Sequence, residues 1–245
     1  MDVAAGQLEA QVARLWEEYE NLPGEDQVRY IEERLPDRSL RSTLTAAAKR
    51  ALDIVAASGG LVVALPLAPL VILAIRLDSK GPAFFSQVRI GKNGRSFVIY
   101  KLRTLSSDSP AYTITPTRDE DYRLTRVGRT LRRLGLDELP QLWNVLRGEM
   151  SLVGPRPEMP FLVDKYSPLQ LLRLRGKPGI TGTWQISPYR NEAIHHHVEY
   201  DLYYLLHPSL SLDLKIALRT LGVLSRTKRT RDKKSEKKKK KTHKT

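Results

Sequence analysis

Apolar residues recur at helical spacing in the first segment. Leu8, Val12, Leu15 and Tyr19 fall on one face of residues 7–20 (QLEAQVARLWEEYE), which predicts an amphipathic helix. Pro23-Gly24 breaks it, residues 25–35 predict a second short helix, and Pro36 ends that one. The pair carries no readable motif. It is expected to be a solvated extension, with a docking or dimerisation arm as the alternative. The periodicity then disappears. From Ile54 to Ile75 the chain runs for 22 residues without a charge. As a straight helix that run would be about 33 Å long, close to the hydrocarbon thickness of a bilayer. A buried core helix is the soluble alternative. Pro66 and Pro69 sit at mid-length, where each removes a donor and clashes with the preceding turn, so a kink or break is expected. Lys49 and Arg50 precede the run and Arg76 and Lys80 follow it. Cations at both ends place both on the cytoplasmic side, which suits a re-entrant segment better than a straight span. Asp53 is expected to meet a basic residue near the interface.

Strict alternation takes over next. AFFSQVRI, the turn Gly91-Lys92-Asn93-Gly94 and RSFVIYKL predict a β-hairpin over 83–102, with Asn93-Gly94 supplying positive φ. Its second strand delivers Lys101 and Arg103 to a polar loop over 105–122. Residues 123–135 (RLTRVGRTLRRLG) predict a basic helix leading into Asp137. It is either a solvated face or a phosphate-holding one. Residues 161–175 predict one amphipathic helix through Leu162, Leu169, Leu172 and Leu174. Lys177 to Gly182 form a Gly/Pro loop whose glycines either admit a ligand to the backbone or make a tight turn. After Pro208, SLSLDLKIALRTLGVL suits a helix that lies on a membrane surface or packs on the core. The lysine-rich tail from Arg226 has no means of burying a core and is expected to be disordered, adding attraction to anionic lipid.

Charge sharpens the division. The net charge is +14, yet residues 1–48 hold 10 acids and 5 bases, and residues 226–245 hold 12 bases and 2 acids. The remaining basic excess suits phosphate or anionic lipid. Without a helix-turn-helix, zinc-finger or RNA-recognition signature, nucleic acid is not an expected partner. There is no cysteine, which excludes disulfides and thiolate metal sites. The highly charged start does not read as a secretory signal. His195, His196 and His197 are consecutive and point in different directions on a helix, a poor metal site. Four segments follow: an acidic helical extension (1–48), a membrane helix (49–80), a folded domain (81–225) and the tail (226–245).

The chemistry concentrates in Leu136 to Pro157, LDELPQLWNVLRGEMSLVGPRP. Asp137 and Glu138 precede Pro140, in the first turn of a short helix that Gly148 ends. They are either a helix cap beside a solvated acid or, with arginines on both sides, a site for a divalent metal and phosphate groups. Arg132 is the favoured phosphate partner. Helix-terminal N–H groups and arginines are expected to keep Asp137 ionised.

These blocks resemble the bacterial sugar transferases, the monotopic phosphoglycosyl transferases. The resemblance covers roughly residues 49–225. It rests on Lys49-Arg50 with Asp53, Gly81-Pro82 with Phe85, Gln87, Arg89 and Gly91, and Tyr100-Lys101 with Arg103-Thr104. Leu136 to Gln141, Asn144-Val145, Gly148, Met150-Ser151, Val153 to Pro157 and Pro178 to Gly182 complete it. It implies an α+β fold, mainly α. A re-entrant membrane helix would carry a small catalytic domain with a β-hairpin and interfacial helices, on the cytoplasmic face of the bacterial inner membrane. It also implies transfer of phosphosugar from a UDP-sugar to a polyprenol phosphate such as undecaprenyl phosphate, with release of UMP and with Mg2+ as the metal. By position, Asp137 and Glu138 become the catalytic and metal-binding pair, and Lys101, Arg103, Arg132 and Arg156 the phosphate-binding set. The chain departs from the family in two places. Leu65-Pro66 replaces the family's Ser-Pro break, and Ser187-Pro188-Tyr189 stands where Asn-Gly-Arg is usual, with Arg190 one place later.

Overall fold

The computed structural model describes residues 3–36, 40–109 and 121–223. Residues 110–120 of the polar loop and the whole lysine-rich tail lie outside the described residues. Two N-terminal helices, α1 (Val3–Glu20) and α2 (Gly24–Arg34), precede the long α3 (Leu40–Asp78). The hairpin follows as β1 (Phe84–Ile90) and β2 (Ser96–Leu102), paired antiparallel with Phe84 opposite Leu102. Asn93 and Gly94 adopt φ of 56° and 75° in its turn, as their types predict. Then come α4 (Arg126–Leu134), α5 (Gln141–Arg147), β3 (Ser151–Val153), α6 (Pro160–Val163) and α7 (Pro168–Leu172). β4 (Gly179–Thr181) pairs parallel with β3, and α8 (Val198–Leu206) and α9 (residues 210–223) end the described chain.

α3 starts at Leu40, ahead of the boundary expected at Lys49, and remains helical across both Pro66 and Pro69. The expected break is therefore absent. A proline inside a helix removes one donor and crowds one turn, which bending relieves without leaving helical conformation. Both halves of α3 rest on the same body. Ala57 and Leu61 pack with Leu142 and Val145, while Val71, Ile72 and Ile75 pack with Val127, Leu131 and Leu136. Between them Val62, Val63, Leu65, Leu67 and Leu70 are exposed. Asp53 makes no ion pair among the described residues, although its charge acts on nearby Lys177. Asp53 Oδ1 accepts the Leu152 N–H at 3.0 Å, which ties α3 to β3. Arg50 donates to the carbonyls of Val145 and Leu146 at 2.6 and 2.8 Å, closing the C-terminus of α5 where the helix dipole favours a cation.

α5 is the hub. Asn144, fully buried, accepts the Tyr100 N–H at 3.3 Å and donates to the Val98 carbonyl at 2.7 Å. It thereby satisfies the open edge of β2, which would otherwise be buried unpaired. Gly128 of α4 sits where a Cβ would come within 2.1 Å of the Thr104 carbonyl oxygen, so α4 also lies flush against the end of the hairpin.

Two further expectations need correction. Residues 161–175 are not one helix. Pro168 has no N–H to continue it, and Ser167 with Gln170 forms a capping box that starts α7 afresh. The N-terminal pair is not a solvated extension either. Leu8 and Val12 are buried with Trp184, Ile194, Tyr200 and Tyr203, and Tyr19 and Ile31 with Leu172, Val198 and Leu202. α9 packs on the core: Ile216 is buried against Val153 and Tyr204, while Leu214, Leu218 and Leu221 are exposed.

Asn144→Ala strands the β2 edge groups inside the protein. The expected loss is about 2–4 kcal/mol of unfolding free energy, read by denaturation in detergent micelles. A loss below about 1 kcal/mol would show that the edge finds other partners.

Candidate active site

Asp137 and Glu138 occupy a 3-10 turn, Leu136–Glu138, between α4 and α5. The chain enters it through Gly135 at φ 68°, a left-handed C-cap that lets α4 end and the chain reverse at once. Neither acid is a helix cap. The residue preceding α5 is Pro140, and no side chain caps that end.

Five of the six residues singled out from the sequence converge. Lys101, near the end of β2, places Nζ 2.8 Å from Glu138 Oε1. Arg156, in the stiff Gly154–Pro157 loop, reaches the same oxygen at 3.4 Å. Asp137 lies beside them, buried, and among the described residues its carboxylate accepts no hydrogen bond. Arg132 joins from the last turn of α4. Its Nε donates to Thr104 Oγ1 at 2.9 Å, and its charge is felt by Asp137. Arg103 is not brought to the pair. Its guanidinium donates to the carbonyls of Lys80 and Ser79, both at 2.7 Å, and closes the C-terminus of α3. Unpaired carbonyls at a buried helix end need such a donor.

The electrostatics separate the two acids. Burial pushes the Asp137 carboxyl up, the Glu138 charge adds to that, and Lys101, Arg132 and Arg156 oppose both. Burial acts on Glu138 in the same sense, but Lys101 and Arg156 outweigh it and hold that carboxyl well below the usual range. Burial pulls Lys101 down, with Glu138 opposing. Asp137 is thus the more basic carboxylate, and among the described residues no helix N–H bonds it. The site sums to two negative and three positive side chains, a net attraction for a diphosphate. Among the described residues no cluster of three or more His, Cys, Asp or Glu forms a metal site. Two hard carboxylates, one of them unbonded, fit Mg2+, which keeps several waters and completes its shell from substrate phosphate.

Other candidates resolve into structure. His197 places its ring nitrogens 2.9 and 3.1 Å from Glu192 and Glu199 and stacks on Tyr189. The Gly179 and Gly154 backbones touch each other: a Cβ on Gly179 would fall 2.1 Å from Gly154 N. Those glycines serve the β3–β4 contact. Sequence reasoning missed Arg173 and Asp201, a fully buried pair at 2.6 Å. The Arg173 guanidinium also donates to the Arg156 carbonyl at 2.7 Å and to the Tyr166 hydroxyl at 2.9 Å. The available signal was a charge set within each of two apolar stretches, LQLLRLR and YDLYYLL.

Residues 44–227 match the family described as bacterial sugar transferase. Among curated relatives, a UDP-N-acetylgalactosamine-undecaprenyl-phosphate N-acetylgalactosaminephosphotransferase of Aeromonas hydrophila is 39% identical over 215 residues, covering 84% of this chain and 50% of that one. A UDP-glucose:undecaprenyl-phosphate glucose-1-phosphate transferase of Caulobacter vibrioides is 44% identical over 187 residues, covering 73% of this chain and 70% of that one. The exopolysaccharide production protein ExoY of Rhizobium meliloti is 38% identical over 189 residues, covering 71% of this chain and 84% of that one. The chain therefore spans half the length of the first relative and most of the other two. The match takes in all but the first turn of α3, the hairpin and every residue of the Asp137–Glu138 site, and the chain belongs to the bacterial sugar transferase family.

Proposed function

We propose that this chain is a phosphoglycosyl transferase that moves phosphosugar from a UDP-sugar to a polyprenol phosphate such as undecaprenyl phosphate, releasing UMP. The relatives' names supply the donor and acceptor classes. The observation that carries the mechanism is the unequal pair: Glu138 is engaged by Lys101 and Arg156, while Asp137 is buried, unbonded and more basic. A desolvated, unbonded carboxylate is the better nucleophile. Its Oδ attacks the sugar-bearing β-phosphorus. The bond from that phosphorus to the bridging oxygen breaks and UMP leaves. An oxygen of the polyprenol phosphate then attacks the same phosphorus, the acyl phosphate bond breaks, and Asp137 returns as a carboxylate. Lys101, Arg132 and Arg156 neutralise the phosphoryl oxygens. Glu138 orients Lys101 and Arg156. Mg2+ bound by Asp137 and Glu138 would offset charge on the diphosphate.

The membrane placement is part of this reading: a monotopic protein on the cytoplasmic face of the bacterial inner membrane. The contacts of residues 57–61 and 71–75 with one body support a segment that enters and leaves on the same side. The exposed leucines of α9 add a second apolar surface for an interfacial position.

Asp137→Asn is expected to lower turnover about a thousandfold or more and to abolish covalent labelling of the protein by labelled UDP-sugar without lipid. Label on the Asn variant would show that another group attacks. Turnover without polyprenol phosphate would indicate a hydrolase. Because Asp137 attacks ionised, activity falls as pH drops through its raised pKa. Lys101→Met removes a charge that opposes that rise, so the acid limb of kcat/KM moves to higher pH while kcat/KM falls about a hundredfold. An acid limb that stays fixed or moves to lower pH would remove Lys101 from the control of Asp137. For topology, single cysteines replacing Ala46 and Lys80, both exposed, should react with an impermeant reagent from the same side of sealed vesicles. Reaction from opposite sides would establish a span.

A further inference from the structure

The reaction above makes no use of α1 and α2, which precede the family match. Their docking site is not an indifferent surface. Val12 is 2% exposed and belongs to one cluster with Trp184, Tyr200 and Tyr203, and the Tyr203 hydroxyl donates to Gln11 Oε1 at 2.8 Å. The Trp184 ring lies with its centroid 6.0 Å from the Arg156 guanidinium carbon, at the reach of a cation–π contact. α8, on which the arm also rests, carries Asp201. Asp201 fixes Arg173, and Arg173 holds the Arg156 carbonyl at 2.7 Å. The arm thus covers both supports of one site cation: the ring beside its guanidinium and the ion pair behind its backbone.

We propose that the N-terminal arm, acting through Val12 and Trp184, is a positioning element for Arg156 and so sets the affinity for the diphosphate of the donor. The inference rests on the assignment of Arg156 to that diphosphate. Coupling of this kind needs only contiguous packed side chains with little freedom to relax. With the arm detached, Trp184 gains room to turn and Arg156 samples positions away from Glu138.

The test is a mutant cycle in the full-length protein, read as the Kd for UDP by titration calorimetry with Mg2+ and as the donor KM from UMP release. Val12→Asp, which puts a charge in the buried cluster, is expected to weaken UDP binding and raise the donor KM about three- to tenfold, with kcat within about twofold. Val12→Ile should keep the wild-type values. In an Arg156→Ala background the same Val12→Asp change should cost less than about twofold, because its target is gone. An unchanged UDP affinity, even with a lowered melting temperature, overturns the inference, and so does an undiminished loss in the Arg156→Ala background. If Val12→Asp does not fold, Val12→Ala enters the same cycle with a smaller effect of the same sign. The calorimetry needs no turnover. A chain that follows the expected pattern yet makes no lipid product supports the positioning role and overturns the transferase reading. Absence of UDP binding by the wild type overturns both.

Discussion

Two adjacent carboxylates have to do different things, and the rest of the site follows from keeping them different. Adjacent residues in a 3-10 turn project about 120° apart, so Glu138 faces the hairpin while Asp137 does not share its partners. Lys101 and Arg156 both bond one Glu138 oxygen. Had they bonded Asp137 instead, its carboxylate would have lost the basicity that the proposed attack requires. An α-helical cap at the same place would have given Asp137 backbone donors, with a similar cost to its basicity. The short turn between α4 and α5 avoids both outcomes.

That turn is fixed by ties that each close a helix end or a strand edge. Arg50 closes α5, Arg103 closes α3, and Asn144 satisfies the edge of β2. None of these groups lies at the carboxylates, yet each removes a freedom from an element that carries a site residue. Arg50 and Asp53 lie at the head of the apolar run, so the segment that meets the bilayer is joined to α5 and β3 directly. Hydrogen bonds at one end of α3, rather than a flexible linker, therefore join the apolar run to the elements that carry the site.

Much of this was legible in the sequence because local rules decide it. The hairpin turn follows from Asn93-Gly94, the end of α5 from Gly148, and the carboxylate site from charge placed beside a proline-led turn. The residues that were misread are those whose partners lie far along the chain. Arg103 stands two places after Lys101 and shares its charge, and only the position of the α3 C-terminus sends it elsewhere. Val12 looks like any apolar position on a surface helix. Its partner Trp184 is more than 170 residues away. At Pro168 the leucine spacing favours continuity, but the missing N–H and the capping Ser167 decide against it.

The choice of cation at each position carries a further argument. Arginine remains charged when buried, whereas lysine yields its proton more readily under desolvation. Arg132 and Arg156 therefore offer planar donors whose charge is independent of the acids beside them, suited to oxygens of a diphosphate. Lys101 is different: burial works against its charge and Glu138 works for it. Glu138 thus both orients Lys101 and favours its charged form, and the two groups form one unit beside an Asp137 that bonds neither.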